Sequence, residues 1–188
     1  MRALSLWQPW AHAVVHLGKR IENREKWTSC NVRGPFLIHA ALGVGTRRQF
    51  HDAAERTLDT VDEAAGERFR DEHLDITTIK RQALWLPRPS LLRGGIIGAA
   101  EVVDVIKSAQ DMATYELSQT IYPHHYKRVE LDQRRWWFGG FALILSNVIP
   151  LQFRPLGGKQ GWFDVPEAEP IMRDGRLAGV NWKGSAAA

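Results

Sequence analysis

The hydrophobic and polar positions along the chain divide it into short elements. Residues 2–6 alternate polar and apolar side chains, which predicts a first strand. Pro9 suits the first turn of a helix, where its missing N–H costs nothing. Trp10, Val14 and Leu17 then recur at helical spacing, and Gly18 is a natural stop. Residues 20–24 read as a short strand whose period of two sets Arg20, Glu22 and Arg24 on one face, opposite Lys19, Ile21 and Asn23. Gly34-Pro35 punctuates the chain before 36–40, an apolar run of buried-strand type. From 46 to 69 the pattern turns helical and charged, with Gly66 a weak point, and 84–93 carries Pro87 and Pro89 as an irregular loop. The strongest strand is 95–106, rich in Ile and Val. A short helix is expected from Ser108 or Gln110 to Thr120, a second long apolar strand over 138–148, and a last short strand over 160–165.

These strands are too numerous and too irregularly spaced for βαβ alternation. The fold class expected is α+β, a small mixed β-barrel with flanking helices. With 188 residues the chain suits one domain. That domain is expected over 1–168, with a helical insertion at about 45–90 and a C-terminal tail at 169–188. The last residues, 184–188, read as an appended cloning remnant.

Composition adds partners and compartment. Apolar content of 44% and charged content of 24% are those of a globular chain. Eight tryptophans are in excess, and such rings pack cores or stack on bases. The formal charge is +4, a mild bias toward anionic partners, with basic residues gathered at 19–33 and at 127–135 just before Trp136 and Trp137. Cys30 is the only cysteine, which excludes an intrachain disulfide and a Cys-rich metal site. No apolar run has signal-peptide character or membrane-spanning length, so no membrane association is expected and a reducing, cytoplasmic setting is. No cofactor and no metal are expected.

The densest polar segment is Gly18-Lys19-Arg20-Ile21-Glu22-Asn23-Arg24. Such a group can hold a phosphate through Arg, accept a base N–H at Glu, and offer Lys as a base if desolvated; it reads equally as a surface ion-pair network. His12 and His16 have a zinc-compatible spacing without an adjacent acidic residue. His39 ends a buried strand, as a hydrogen-bonded wall residue or as part of a cleft, and His124-His125 falls in a loop. Glu101 and Asp104 face opposite ways along their strand, so at most one enters a barrel. Gly157-Gly158 before Lys159 forms a simple turn or lets backbone approach a phosphate.

Leu4-Ser5-Leu6-Trp7-Gln8-Pro9-Trp10 followed by the Gly18–Arg24 segment resembles the opening signature of ASCH domains, whose motif is G-x-K-x-x-E-x-R. Here the glycine falls one position late, at Gly18, with Leu17 in its usual place. Residues 34–40, 95–100 and 158–162 resemble the family's later segments in order, so that the likeness covers roughly 2–165 without the material between about 45 and 90. The resemblance implies a PUA-like β-barrel with a cleft lined by Lys19, Glu22 and Arg24; Gln8, Trp10, His39, Lys159 and Gln160 are expected to complete its nucleotide-binding lining. The implied role is recognition of single-stranded RNA, or of a single or modified nucleotide. The alternative expected is a hydrolase, a ribonuclease or a modified-nucleoside amidohydrolase, with Lys19 as base and Glu22 or Glu101 as acid–base partner. In the family's amidohydrolase-like group a threonine stands where Glu22 stands here, so a hydroxyl nucleophile does not carry over. A third reading is a protein-interaction adaptor using the basic-aromatic run from Arg134 to Phe138. Neither the base, nor RNA over DNA, nor the oligomeric state follows from the sequence.

Overall fold

The structure, a computed structural model, describes residues 1–26, 30–43, 48–49, 52–53, 55–57, 91–112 and 131–184. In chain order it holds β1 (Arg2–Leu6), α1 (Trp10–His16), β2 (Ile21–Arg24), β3 (Gly34–Ala40), β4 (Gly95–Ile106), a 3-10 helix (Leu131–Trp136), β5 (Phe141–Pro155), β6 (Trp162–Asp164), β7 (Ala168–Arg173) and β8 (Arg176–Trp182). The expected helical insertion lies mostly outside the described residues; those at 48–49, 52–53 and 55–57 are helical. Of the expected helix up to Thr120, the described part is helical at 109–112.

Six strands form one sheet in the order β2-β5-β4-β3-β1-β6, and β7 and β8 form a separate hairpin. β1 pairs parallel with β3, and the other neighbours are antiparallel. The sheet curls into a half-barrel. The long β4–β5 ladder shifts register three times, and each bulge adds local bend and twist.

β5 departs from expectation at both ends. It starts at Phe141 because Gly139 and Gly140 both take positive φ, 97° and 71°, which no strand accommodates. It runs on to Pro155 because β4 keeps pairing with it past the polar Ser146-Asn147, where bulges absorb the mismatch. The segment 169–188, expected as a tail, instead carries the β7–β8 hairpin. Its turn is Asp174-Gly175, with φ of 49° and 72°, the backbone twist that joins two antiparallel strands in two residues.

The two faces of the sheet are buried separately. Leu4, Leu6, Phe36, Ile38, Leu143 and Leu145 point inward with Ala11, Val14 and Val15 of α1. Ala3, Leu37, Ile96 and Ala99 point outward and are covered by Phe163, Val165 and Leu177. A third cluster, Ala13, Leu17, Ile21, Trp136 and Ile144, joins α1 and the 3-10 helix to β2 and β5. Among the described residues no helix is long and apolar enough to cross a membrane.

Candidate functional site

The motif segment is positioned by the end of α1. The amides of Leu17 and Lys19 both donate to Ala13 O, at 3.0 and 3.1 Å, and Gly18 between them sits at φ 72°. Only glycine takes that left-handed conformation without strain, so the late glycine of the motif marks where the turn itself falls. The turn delivers Lys19 just before β2, off the strand's alternation, and its side chain therefore reaches Glu22 although period two set them on opposite faces. Lys19 Nζ donates to Glu22 Oε2 and to Ile21 O, both at 2.5 Å, and lies 5.8 Å from the centre of the Trp10 ring. Those three neighbours match the three N–H groups of an ammonium.

This lysine is 1% exposed. Burial is the main force on its pKa and pushes it below the usual lysine range; the Glu22 carboxylate opposes that shift, and the Arg24 guanidinium adds to it. Arg24 lies 3.7 Å from Glu22 Oε1, an ion pair too long to be a hydrogen bond. Trp10 packs at 5.5 Å against the ring of Phe138, which is 39% exposed and has the guanidinium of Arg56 at 5.4 Å. The sequence-predicted Lys19, Glu22, Arg24 and Trp10 are thus together, and Phe138 joins them.

Other predicted residues go elsewhere. Arg20, expected beside Glu22 and Arg24, turns its guanidinium to Val14 O and Lys19 O, at 2.9 and 3.1 Å, and its amide donates to Gln133 Oε1 at 2.7 Å. Gln8 is buried with both ends of its amide engaged, accepting from His12 N at 3.0 Å and donating to Leu92 O at 2.8 Å. It pins the start of α1. The rings of His12 and His16 lie 4.7 Å apart, tilted by 41°, and burial together with His16 lowers the His12 pKa to about 4. Among the described residues no three His, Cys, Asp or Glu side chains gather as metal ligands. His124 and His125 lie outside the described residues.

Glu101, weighed as an acid–base partner, is buried on the outer face. Asn147 Nδ2 donates to its Oε2, and Leu177 N donates to its Oε1 at 3.0 Å. Both oxygens are occupied in holding β8 to the sheet, which is a structural task. Asp104 instead accepts from Val105 N and lies 3.9 Å from Arg33.

His39, Lys159 and Gln160 form a second group. His39 pairs in register with Ser5, alternating with the inward Leu4 and Ile38, and so faces outward against Phe163. Glu22 stands opposite Leu143, an inward residue. The cleft expected from the sequence is therefore split between the two faces of the sheet. On the outer side His39, Lys159 and Gln160 line an open cleft of about 1000 Å³ with Ser5, Trp7 and Arg93. Ser5, Trp7 and Arg93 were not singled out from sequence; an exposed Trp directly after a strand is the signal that Trp7 offered.

Among known families, the model of the ASCH domain matches residues 4–148. No curated protein matches the chain.

Proposed function

The chain belongs to the ASCH domain family, and from that premise we propose that it is an RNA-binding module reading single-stranded RNA or a modified nucleobase through Lys19, Glu22 and Arg24. ASCH domains share the PUA-like fold and are generally thought to bind RNA. The observation that carries the reading is Glu22 Oε1, which has the Arg24 guanidinium at 3.7 Å but accepts no hydrogen bond among the described residues. This residue is 6% exposed, and its Oε2 is held by Lys19. A buried anionic oxygen left without a donor is costly, and an amino or imino N–H of a base supplies one. Arg24, the most exposed of the trio, takes phosphate or a base edge, and Trp10 walls the pocket. Gln8 contributes by fixing α1, not by touching ligand.

A second reading, hydrolysis of RNA or of a modified nucleoside, draws on one feature: the lowered pKa of Lys19 makes a neutral amine accessible as a base. One substitution separates the two. Glu22→Gln is close to isosteric and keeps an acceptor oxygen while exchanging the other for a donor. If Glu22 reads a base, affinity for an oligonucleotide panel loses its base preference while phosphate-driven binding persists. If Glu22 is an acid–base catalyst, turnover of total RNA and modified nucleosides, followed by mass spectrometry, disappears with retention unchanged. A folded variant that changes neither measurement places the site elsewhere.

A further inference from the structure

We propose that the outer cleft is a second site, separate from the motif pocket, that binds a nucleoside phosphate with its phosphate on the loop 157–160 and its base on Trp7. Four observations converge there. First, the cleft opens where the parallel strands β1 and β3 end, and among the described residues its lining includes Arg93 and Lys159 but no Asp or Glu. Lys159 is exposed, and its ammonium has no partner among the described residues. A concave surface with cations and no carboxylate concentrates anions.

Second, the Lys159 carbonyl and the carbonyls flanking the loop are tied down, while the loop's amides are open. His39 Nε2 donates to Leu156 O at 2.9 Å, Ser5 Oγ to Lys159 O at 2.6 Å, and Ser5 N to Gly161 O at 3.0 Å. The amides of Gly157, Gly158, Lys159 and Gln160 donate to no group among the described residues. Four successive N–H groups with no acceptor among the described residues are donors that the oxygens of an anion can take up.

Third, the two glycines do different work. A Cβ on Gly158 would lie 2.2 Å from His39 Cε1, so that residue must be glycine for the loop to seat on His39. Gly157 has neither a positive φ nor any atom within 4 Å of a built Cβ. Packing does not ask for glycine there, whereas an anion approaching the amides does.

Fourth, Trp7 lines the same cleft with 47% of its surface exposed, and Gln160 is exposed beside the loop. An open indole next to two cations is a stacking platform for a base.

The ligand class is therefore a base joined to a phosphate, either a free nucleotide or one residue of a single-stranded RNA. The test is amide NMR of the full chain titrated with inorganic phosphate, uridine, a panel of nucleoside monophosphates and a short oligouridylate. Phosphate and nucleotides should shift the amides 157–160, and the nucleotides should bind more tightly than phosphate. Trp7→Ala should remove that advantage, roughly a tenfold loss in nucleotide affinity, with phosphate binding unchanged. Lys159→Ala should weaken both ligands. Gly157→Val has open space for its side chain and keeps the fold, yet should crowd an anion off these amides. Tighter binding of the oligouridylate than of uridine monophosphate makes RNA the source, and the reverse makes it a free nucleotide. Arg24→Ala should leave the mononucleotide titration of these amides intact, so failure of the motif reading and failure of this site are told apart. Absence of shifts at 157–160 overturns the proposal, and so does phosphate binding as tight as nucleotide binding and indifferent to Trp7.

Discussion

Lys19 is a cation held where water does not reach, and the energetics of the motif follow from that. A buried ion pair is poor evidence of stabilisation, because removing two charges from water cancels most of their attraction. The group is more economically explained by what the remaining Glu22 oxygen can accept. The lowered pKa of Lys19 has a definite sign. In the window between its folded value and the ordinary lysine value, the unfolded chain holds a proton that the fold has released. Stability contributed by this residue therefore rises with pH across that window, and the full cost of the buried charge applies below it. Titration of labelled lysine by NMR should place Lys19 below the ordinary range. In Glu22→Gln it should fall further, since the carboxylate is the influence that raises it. An ordinary value in the folded protein removes Lys19 as a base while leaving base reading by Glu22 untouched.

At the scale of elements, Glu101 ties two separate parts of the fold together. It accepts from the buried Leu177 amide and from Asn147, a residue at φ 47° in the β4–β5 bulges, and so joins the β7–β8 hairpin to the sheet. Glu101→Ala leaves the Leu177 N–H without a partner, at a cost of about 1–3 kcal/mol. The expected outcome is a lower denaturant midpoint with faster amide exchange in β8, and no effect on nucleotide binding. Slow exchange at Leu177 in the variant would show that the hairpin is held by its apolar contacts alone. That hairpin was legible in one dipeptide, Asp174-Gly175, the strongest short-range hairpin signal there is. Its strands were not, since most β7 and β8 side chains are exposed and lack the apolar alternation that marks a buried strand.

For the molecule as a whole, a net charge of +4 is modest, so RNA affinity rests on a few placed cations and not on a general basic surface. Arg24→Ala should weaken binding of single-stranded RNA and reduce the slope of log affinity against log salt by roughly 0.7, the release expected for one phosphate contact on a single strand. Fluorescence anisotropy across a salt series reads both quantities. Unchanged affinity and slope in a folded variant take Arg24 out of the interface. Because Glu22 and His39 face opposite sides of the sheet, effects of Arg24→Ala and Lys159→Ala should add on a strand long enough to touch both, and a short oligomer should sense one at a time.

Local chemistry was enough to determine β1, α1, β3 and β4, and the group Lys19, Glu22 and Arg24. Hydrophobic period, a glycine stop and dense charge within six residues all act over short stretches of chain. Three other matters were decided by the tertiary structure. The length of β5 depends on a partner strand that keeps pairing through bulges. The role of Glu101 depends on a hairpin 76 residues further along the chain. The separation of Glu22 from His39 depends on which face of a curled sheet each strand presents, and that is set by register between strands far apart in sequence. Spacing along the chain brings Lys19 to Glu22. Only the pairing of β1 with β3 carries Ser5 to His39 and, through them, Lys159 to the other side.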